Sequence, residues 1–439
     1  MITLLVFSLI FAFCMAWMIG ANDVANAMGT SVGSKALTLK QAVLLAAIFE
    51  FGGAFLVGGG VTDTVRKGII NPDHFMDANL FPQAPAGAAT PGPSVKPTLD
   101  TGPGLFALGM LCALITAVLW LFLTNRLGIP VSTTHSIVGA IIGFGLAALV
   151  PKIGWQAIEW ASLGKISIGW VVSPVAGGVL SFIMFVIIRR YILRSPTPLE
   201  AVRTLAPYLL GLVIVVVVLS VLVKGLKNFH LEIDLWSAFA AALLVATLAG
   251  IFMRMMSRSH PPSERLEDQF FYVEGVFRRL QIVTACYVAF AHGSNDVANA
   301  VGPLAGILEV WKTGVVGSTA PIQSIVLAIG GLGIVLGLAM WGYRVIETVG
   351  KKITEMTPSR GFCAEFGAAT IVLLFSMMKL PISTTQTLVG AVLGVGLARG
   401  LASIDMGVIR KIFSAWIIEL PLTAAVTATI FLALQFIFT

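Results

Sequence analysis

The stretch PVSTTHSIVGAIIGFGLA begins at Pro130, and PISTTQTLVGAVLGVGLA begins at Pro381, 251 residues later. In each, the proline discourages the residues before it from continuing a helix, and the Ser-Thr-Thr that follows supplies good N-cap side chains. Apolar residues then run on, so each string reads as a helix that starts deep in a membrane rather than at its surface. A helix N-terminus presents unpaired backbone N–H groups and about half a positive charge, which suits an anion. Ser132, Thr133, Thr134 and their partners Ser383, Thr384, Thr385 add hydroxyl donors, and Lys379 is the only basic residue nearby. One such motif is explained by ordinary capping; two symmetric copies favour a ligand site.

The surroundings fit a membrane setting. Of 439 residues, 57% are hydrophobic and 11% charged, where a soluble chain carries about a quarter charged residues. Apolar runs near 2–28, 41–60, 104–123, 131–150, 166–188, 205–223, 236–253, 280–303, 321–340, 361–378, 383–400 and 411–438 predict twelve segments. The first has no basic n-region and reads as a retained helix. If all twelve cross and Met1 starts outside, 19 of the 28 Lys and Arg fall on the inside, which favours both termini outside. The net charge of +7 is thereby a topology signal, and its scatter among loops argues against nucleic acid. Cys14, Cys112, Cys286 and Cys363 lie within apolar segments without CxxC spacing, as buried small residues do. The loop 61–103, rich in Pro, Ala and Gly, is expected to be an irregular external excursion without a core.

A second pair of strings completes a repeat. GANDVANAMG spans 20–29 and GSNDVANAVG spans 293–302, and Cys112 and Cys363 share the 251-residue spacing. Residues 1–190 (segments 1–5) thus correspond to 280–439 (segments 8–12), joined by 191–279 with segments 6 and 7 and an internal loop. Seven crossings separate the two starts, and an odd number makes the repeats inverted, as recurs in secondary transporters. The expected fold class is an all-α polytopic membrane protein of about twelve transmembrane segments in two inverted repeats, with half-helices at the substrate site.

Asn22, Asp23 and Asn26, and again Asn295, Asp296 and Asn299, offer the carboxylate and amide oxygens that a hard cation takes. Gly20, Gly29, Gly293 and Gly302 flank the strings and would permit a break in the helix, freeing carbonyls. An aspartate at this depth is costly and is a functional candidate by default. Glu50 and Glu365 also lie in apolar runs, as coupling-ion ligands or pathway carboxyls. Glu419 beside Pro421 has less support. His135 and His292 adjoin the motifs but face Gln386 and Ile19 in the other repeat, and structural hydrogen bonds explain them equally well. Charge decides the kind of site. A divalent oxyanion beside Asp23 and Asp296 is opposed unless cations come with it. Paired acids next to paired helix N-termini therefore imply co-binding, which is the logic of a symporter.

These residues resemble the inorganic phosphate transporter (PiT) family over nearly the whole chain, through GANDVANA, GSNDVANAVGPLAG, PVSTTH, PISTTQ and QAVLLAAIFEFGGAF in order. The resemblance implies twelve segments in inverted repeats, phosphate between the halves, and a homodimer. By similarity Ser132, Thr133, Thr134, Ser383, Thr384 and Thr385, with Asn22 and Asn295, contact phosphate. Asp23, Asn26, Asp296 and Asn299 serve sodium, and Glu50 and Glu365 lie on the coupling or ion pathway. The wording GANDVANA with Phe49-Glu50 is similar to the sodium-coupled branch, while Gln386 stands where a histidine often follows the second Ser-Thr-Thr. The expectation is a sodium-driven phosphate symporter in a prokaryotic cell membrane, with sodium as co-substrate and no cofactor. The alternatives are a proton-coupled phosphate permease or a sulfate permease of the same family and, more remotely, a passive channel or a membrane-embedded enzyme on phosphorylated lipid. For the enzyme no HExxH, GxSxG or nucleophile–His–acid pattern speaks.

Overall fold

The computed structural model describes residues 1–82, 98–127, 131–225, 233–257, 265–317, 322–342, 356–400 and 406–438, and among these it is nearly all helix. In chain order the helices are α1 (Ile2–Gly33), α2 (Leu39–Val57), α3 (Gly59–Lys67), α4 (Gly102–Leu127), α5 (Thr133–Ala148), α6 (Val150–Ile153) and α7 (Trp160–Ile188). They continue as α8 (Pro198–Ser220), α9 (Leu235–Ser257), α10 (Leu266–Thr313), α11 (Ser324–Gly337), α12 (Pro358–Met377), α13 (Thr384–Arg399) and α14 (Met406–Phe438). Single π-helical turns extend the C-terminal ends of α7, α8 and α11. Each of the twelve expected segments falls on a helix. Nine described helices are long and apolar enough to cross a membrane, or ten if α5 and the bent turn after it count as one span. Outward-facing side chains such as Val171, Val175, Leu244, Trp236 and Phe436 are exposed, as a bilayer solvent permits and water does not.

The half-helices are where the sequence puts them. Ser132 and Ser383 are the N-caps of α5 and α13, and their side chains accept the His135 and Gln386 backbone N–H at 3.1 and 3.2 Å. Each helix is 16 residues long, about 24 Å at 1.5 Å per residue, less than the ~30 Å of a bilayer core. Pro130 lies outside the described residues, as do 83–97 of the long loop and 258–264 of the internal one.

Two expectations are corrected. The loop 61–103 is not coreless: α3 occupies its start, and Ile69, Ile70, Phe75 and Phe81 are buried, with Phe75 stacked 5.4 Å from Phe144. Nor do the glycines break the Asn-Asp helices, since α1 and α10 run unbroken through both strings. Gly20 and Gly293 serve close packing instead. A methyl group there would collide with the carbonyls of Ile334 and Glu50 respectively. A continuous helix satisfies its own backbone, which a break in lipid would leave to find other partners.

Among the described residues the core has two large apolar clusters, besides a small one at Val389 and Trp416, and α1 and α10 pass from one large cluster to the other. On α1, Met15 and Ile19 belong to the first and Val24 and Met28 to the second; on α10, Phe290 and Ala291 belong to the second and Val297 and Val301 to the first. Each crossover falls on an Asn-Asp string. The contacts come in matched pairs. Gly143 on α5 meets the Ala424 carbonyl on α14, while Gly394 on α13 meets the Gly178 carbonyl on α7; Gly337 meets Trp17, and Gly53 meets Phe290. Each half-helix thus packs against the last long helix of the other half.

Candidate functional site

The two Asn-Asp strings meet the two Ser-Thr-Thr turns crosswise. Asn26 on α1 donates its amide to Thr385 Oγ1 of the second half at 2.6 Å, and Asn299 on α10 donates to Thr134 and Thr133 of the first half at 3.1 and 3.3 Å. Thr384 donates to Asp296 Oδ2 at 2.6 Å and Thr385 to Asp23 Oδ1 at 3.2 Å. Thr134 donates to the Ile382 carbonyl at 2.9 Å, which ties the two turns directly together. Asn22 and Asn26 also reach Asp23 Oδ1, at 3.2 and 3.1 Å. All of these side chains are buried.

Between the aspartates stands His292, for which the sequence supports a structural hydrogen bond and ligand contact equally. Its Nε2 is 3.0 Å from Asp296 Oδ2 and 3.8 Å from Asp23 Oδ2, and its Nδ1 is 3.1 Å from Glu50 Oε1. These are ion-pair distances without hydrogen-bond alignment. Asp23 Oδ2, Asp296 Oδ1, Asn299 Oδ1, both Glu50 oxygens and both His292 nitrogens have no hydrogen-bond partner. Ligand atoms of Asp23, His292 and Asp296 lie within 4.8 Å of one another. Two ionised carboxylates that close repel by about 3 kcal/mol at an effective dielectric near 20. Buried oxygens left unpaired cost more again. The oxygen donors of such a cluster suit a hard cation. The signal in the sequence was His292 four residues before Asp296, one helical turn away on the same face.

Some sequence candidates stand elsewhere. Asn295 braces the turn before α13, donating to Ser376 Oγ at 3.0 Å and the Leu380 carbonyl at 3.3 Å and accepting the Ile382 N–H at 3.3 Å. Glu365 is enclosed by four donors: Thr30 at 2.6, Ser31 at 2.7, Thr284 at 2.6 and Gln281 at 3.0 Å. It lies about two turns along α1 from Asp23, outside the central cluster. Glu50 has no acidic twin, since the matched contacts pair it with Ile334.

A helical membrane bundle that sets acids against two buried helix N-termini is an arrangement that recurs in secondary transporters. The chain belongs to the phosphate transporter family, which it matches over residues 19–427; it is a multi-pass membrane protein that transports phosphate and is not an enzyme. Over 440 residues it is 42% identical to inorganic phosphate transporter 2-1, chloroplastic, of Arabidopsis thaliana, covering 95% of this chain and 70% of that one. The fold is similar to a solved structure described as the sodium-dependent phosphate transporter, with a TM-score of 0.86 and 39% identity over 99% of this chain and 100% of that one.

Proposed function

We propose that the protein is a sodium-driven phosphate symporter working by alternating access. Sodium is held by Asp23 and Asp296 with Asn26 and Asn299, and phosphate by the N-terminal turns of α5 and α13 through Ser132, Thr133, Thr134, Ser383, Thr384 and Thr385. One observation carries this reading: both buried aspartates accept from the first turn of α13, and Asn299, on the same helix as Asp296, donates to the first turn of α5. Acids and helix N-termini thus meet at one place, and each ion makes the other tolerable. Asn22 borders the phosphate, and Asn295 acts through the turn it braces. Glu50 joins the cation cluster through His292, and Glu365 is a separate station on the ion pathway.

Residues 1–190 and 280–439 are the inverted repeats, linked by 191–279, with twelve crossings and both termini outside a prokaryotic plasma membrane. The functional unit is a homodimer. The likeness to a solved transporter described as sodium-dependent supports the choice of sodium. The test is uptake of labelled phosphate into liposomes holding the purified protein. Uptake is expected only under an inward sodium gradient, and equal uptake driven by protons alone would overturn the coupling. Sulfate competing as well as phosphate itself would overturn the substrate.

A further inference from the structure

Glu419, on α14, is a buried acid that this scheme leaves unused. It is fully buried, and three donors from two other helices converge on it. Oε1 is 2.6 Å from the Ser136 hydroxyl and 2.9 Å from Trp120 Nε1, and Oε2 accepts the Ser132 backbone N–H at 3.1 Å. Ser132 is the N-cap of α5, and Ser136 Oγ is also 2.9 Å from the Ser132 carbonyl. One carboxyl group therefore grips, from behind, the turn that presents Thr133 and Thr134.

Among the described residues no acid grips the other half from behind; Asn295 braces its turn instead, through Ser376, Leu380 and Ile382. Gly139 and Gly143 of α5 pack on Leu420 and Ala424, while Gly390 and Gly394 of α13 pack on Pro174 and Gly178. That correspondence pairs Glu419 with Ser173 on α7, whose buried hydroxyl has no hydrogen-bond partner. It pairs Ser136 with Thr387, whose hydroxyl goes to the Ser383 carbonyl at 2.8 Å. In front, the α13 turn donates to both aspartates and the α5 turn accepts from Asn299. Among the described residues, only the α5 turn is also held at its back by an acid.

We propose that Glu419 is a positioning residue for the substrate. It fixes the α5 half of the anion cradle in advance. The proposal rests on the phosphate–sodium reading above. A turn fixed in advance spares the anion the cost of ordering it. Loosening that turn should weaken phosphate binding while the cation ligands stay in place.

The experiment compares wild type with Glu419→Gln, Trp120→Phe and Ser136→Ala in liposomes. Glutamine keeps the size, but its amide nitrogen cannot accept a donor; the other two variants each remove one donor and keep the acid. The expected result is a phosphate KM raised about fivefold in Glu419→Gln, the scale of one net hydrogen bond. Trp120→Phe and Ser136→Ala should raise it by smaller steps. Half-activating sodium, read at saturating phosphate, should not move, and maximal rate should change less than KM. An unchanged KM in all three, or a sodium shift as large as the phosphate shift, would overturn the proposal. If Glu419→Gln does not reach the membrane, the two donor variants decide by the same criteria. Wild-type uptake is measured first, so a failure of the transport reading itself shows there and not as a silent variant.

Discussion

Asp23 and Asp296 are each fully buried and share one histidine between them. Their mutual repulsion is a cost that a cation bound there, as proposed, would remove. Neutralising one acid therefore has two opposite consequences. Asp23→Asn should raise the sodium needed for half-maximal phosphate uptake by on the order of tenfold or more, since the charge that holds the ion is gone. In sodium-free buffer the same variant should melt no lower than wild type, because a repulsive pair has been relieved. Wild type should gain thermal stability when sodium chloride replaces potassium chloride, through binding to the folded state alone, and the variant should gain less. A variant that kept wild-type sodium activation would remove Asp23 from the ion site.

At the scale of elements, the half-helices owe their placement to small residues as much as to their caps. Gly143 and Gly394 let α5 and α13 lie against carbonyls of α14 and α7, the close approach that helix pairs in lipid rely on. Gly394→Ala should destabilise the protein by about 1–3 kcal/mol through overpacking against the Gly178 backbone. Thermal unfolding in detergent reads this directly, and an unchanged midpoint would mean that the pair moves apart at no cost. The Ser-Thr-Thr turns were legible in sequence because capping is local: Ser132 and Ser383 bond to the N–H three residues on, whatever lies around them. The role of Gly20 and Gly293 was not legible. A glycine that lets a helix break and one that lets another helix approach look alike until the neighbour is known.

Across the whole molecule, each Asn-Asp string falls where its helix leaves one apolar cluster for the other. A polar stretch there interrupts neither cluster, so two buried acids coexist with a continuous core. If the chain crosses twelve times, both termini lie on one face, which the proposed orientation, from the Lys and Arg distribution, puts outside. Cysteines placed at Ile2 and Phe436, both exposed, should react with a membrane-impermeant thiol reagent on intact cells. Labelling that required permeabilised membranes would reverse the orientation. Cys112, Cys286 and Cys363 are buried and Cys14 is partly so, which keeps the background low.

By itself the sequence determined the helical membrane class, the repeat, the two capped half-helices and the identity of most polar residues in the centre. These follow from hydropathy, capping and spacing, which act over a few turns of one chain segment. Tertiary structure alone decided which of those residues meet. It crossed Asn26 with Thr385 and Asn299 with Thr134, set His292 between three acids, moved Glu365 into its own cage, and gave Glu419 the back of α5. Apart from His292 and Asp296, one helical turn apart, each of these contacts joins segments far apart in the chain. Their geometry is set by how closely helices pack, and no local pattern encodes that distance.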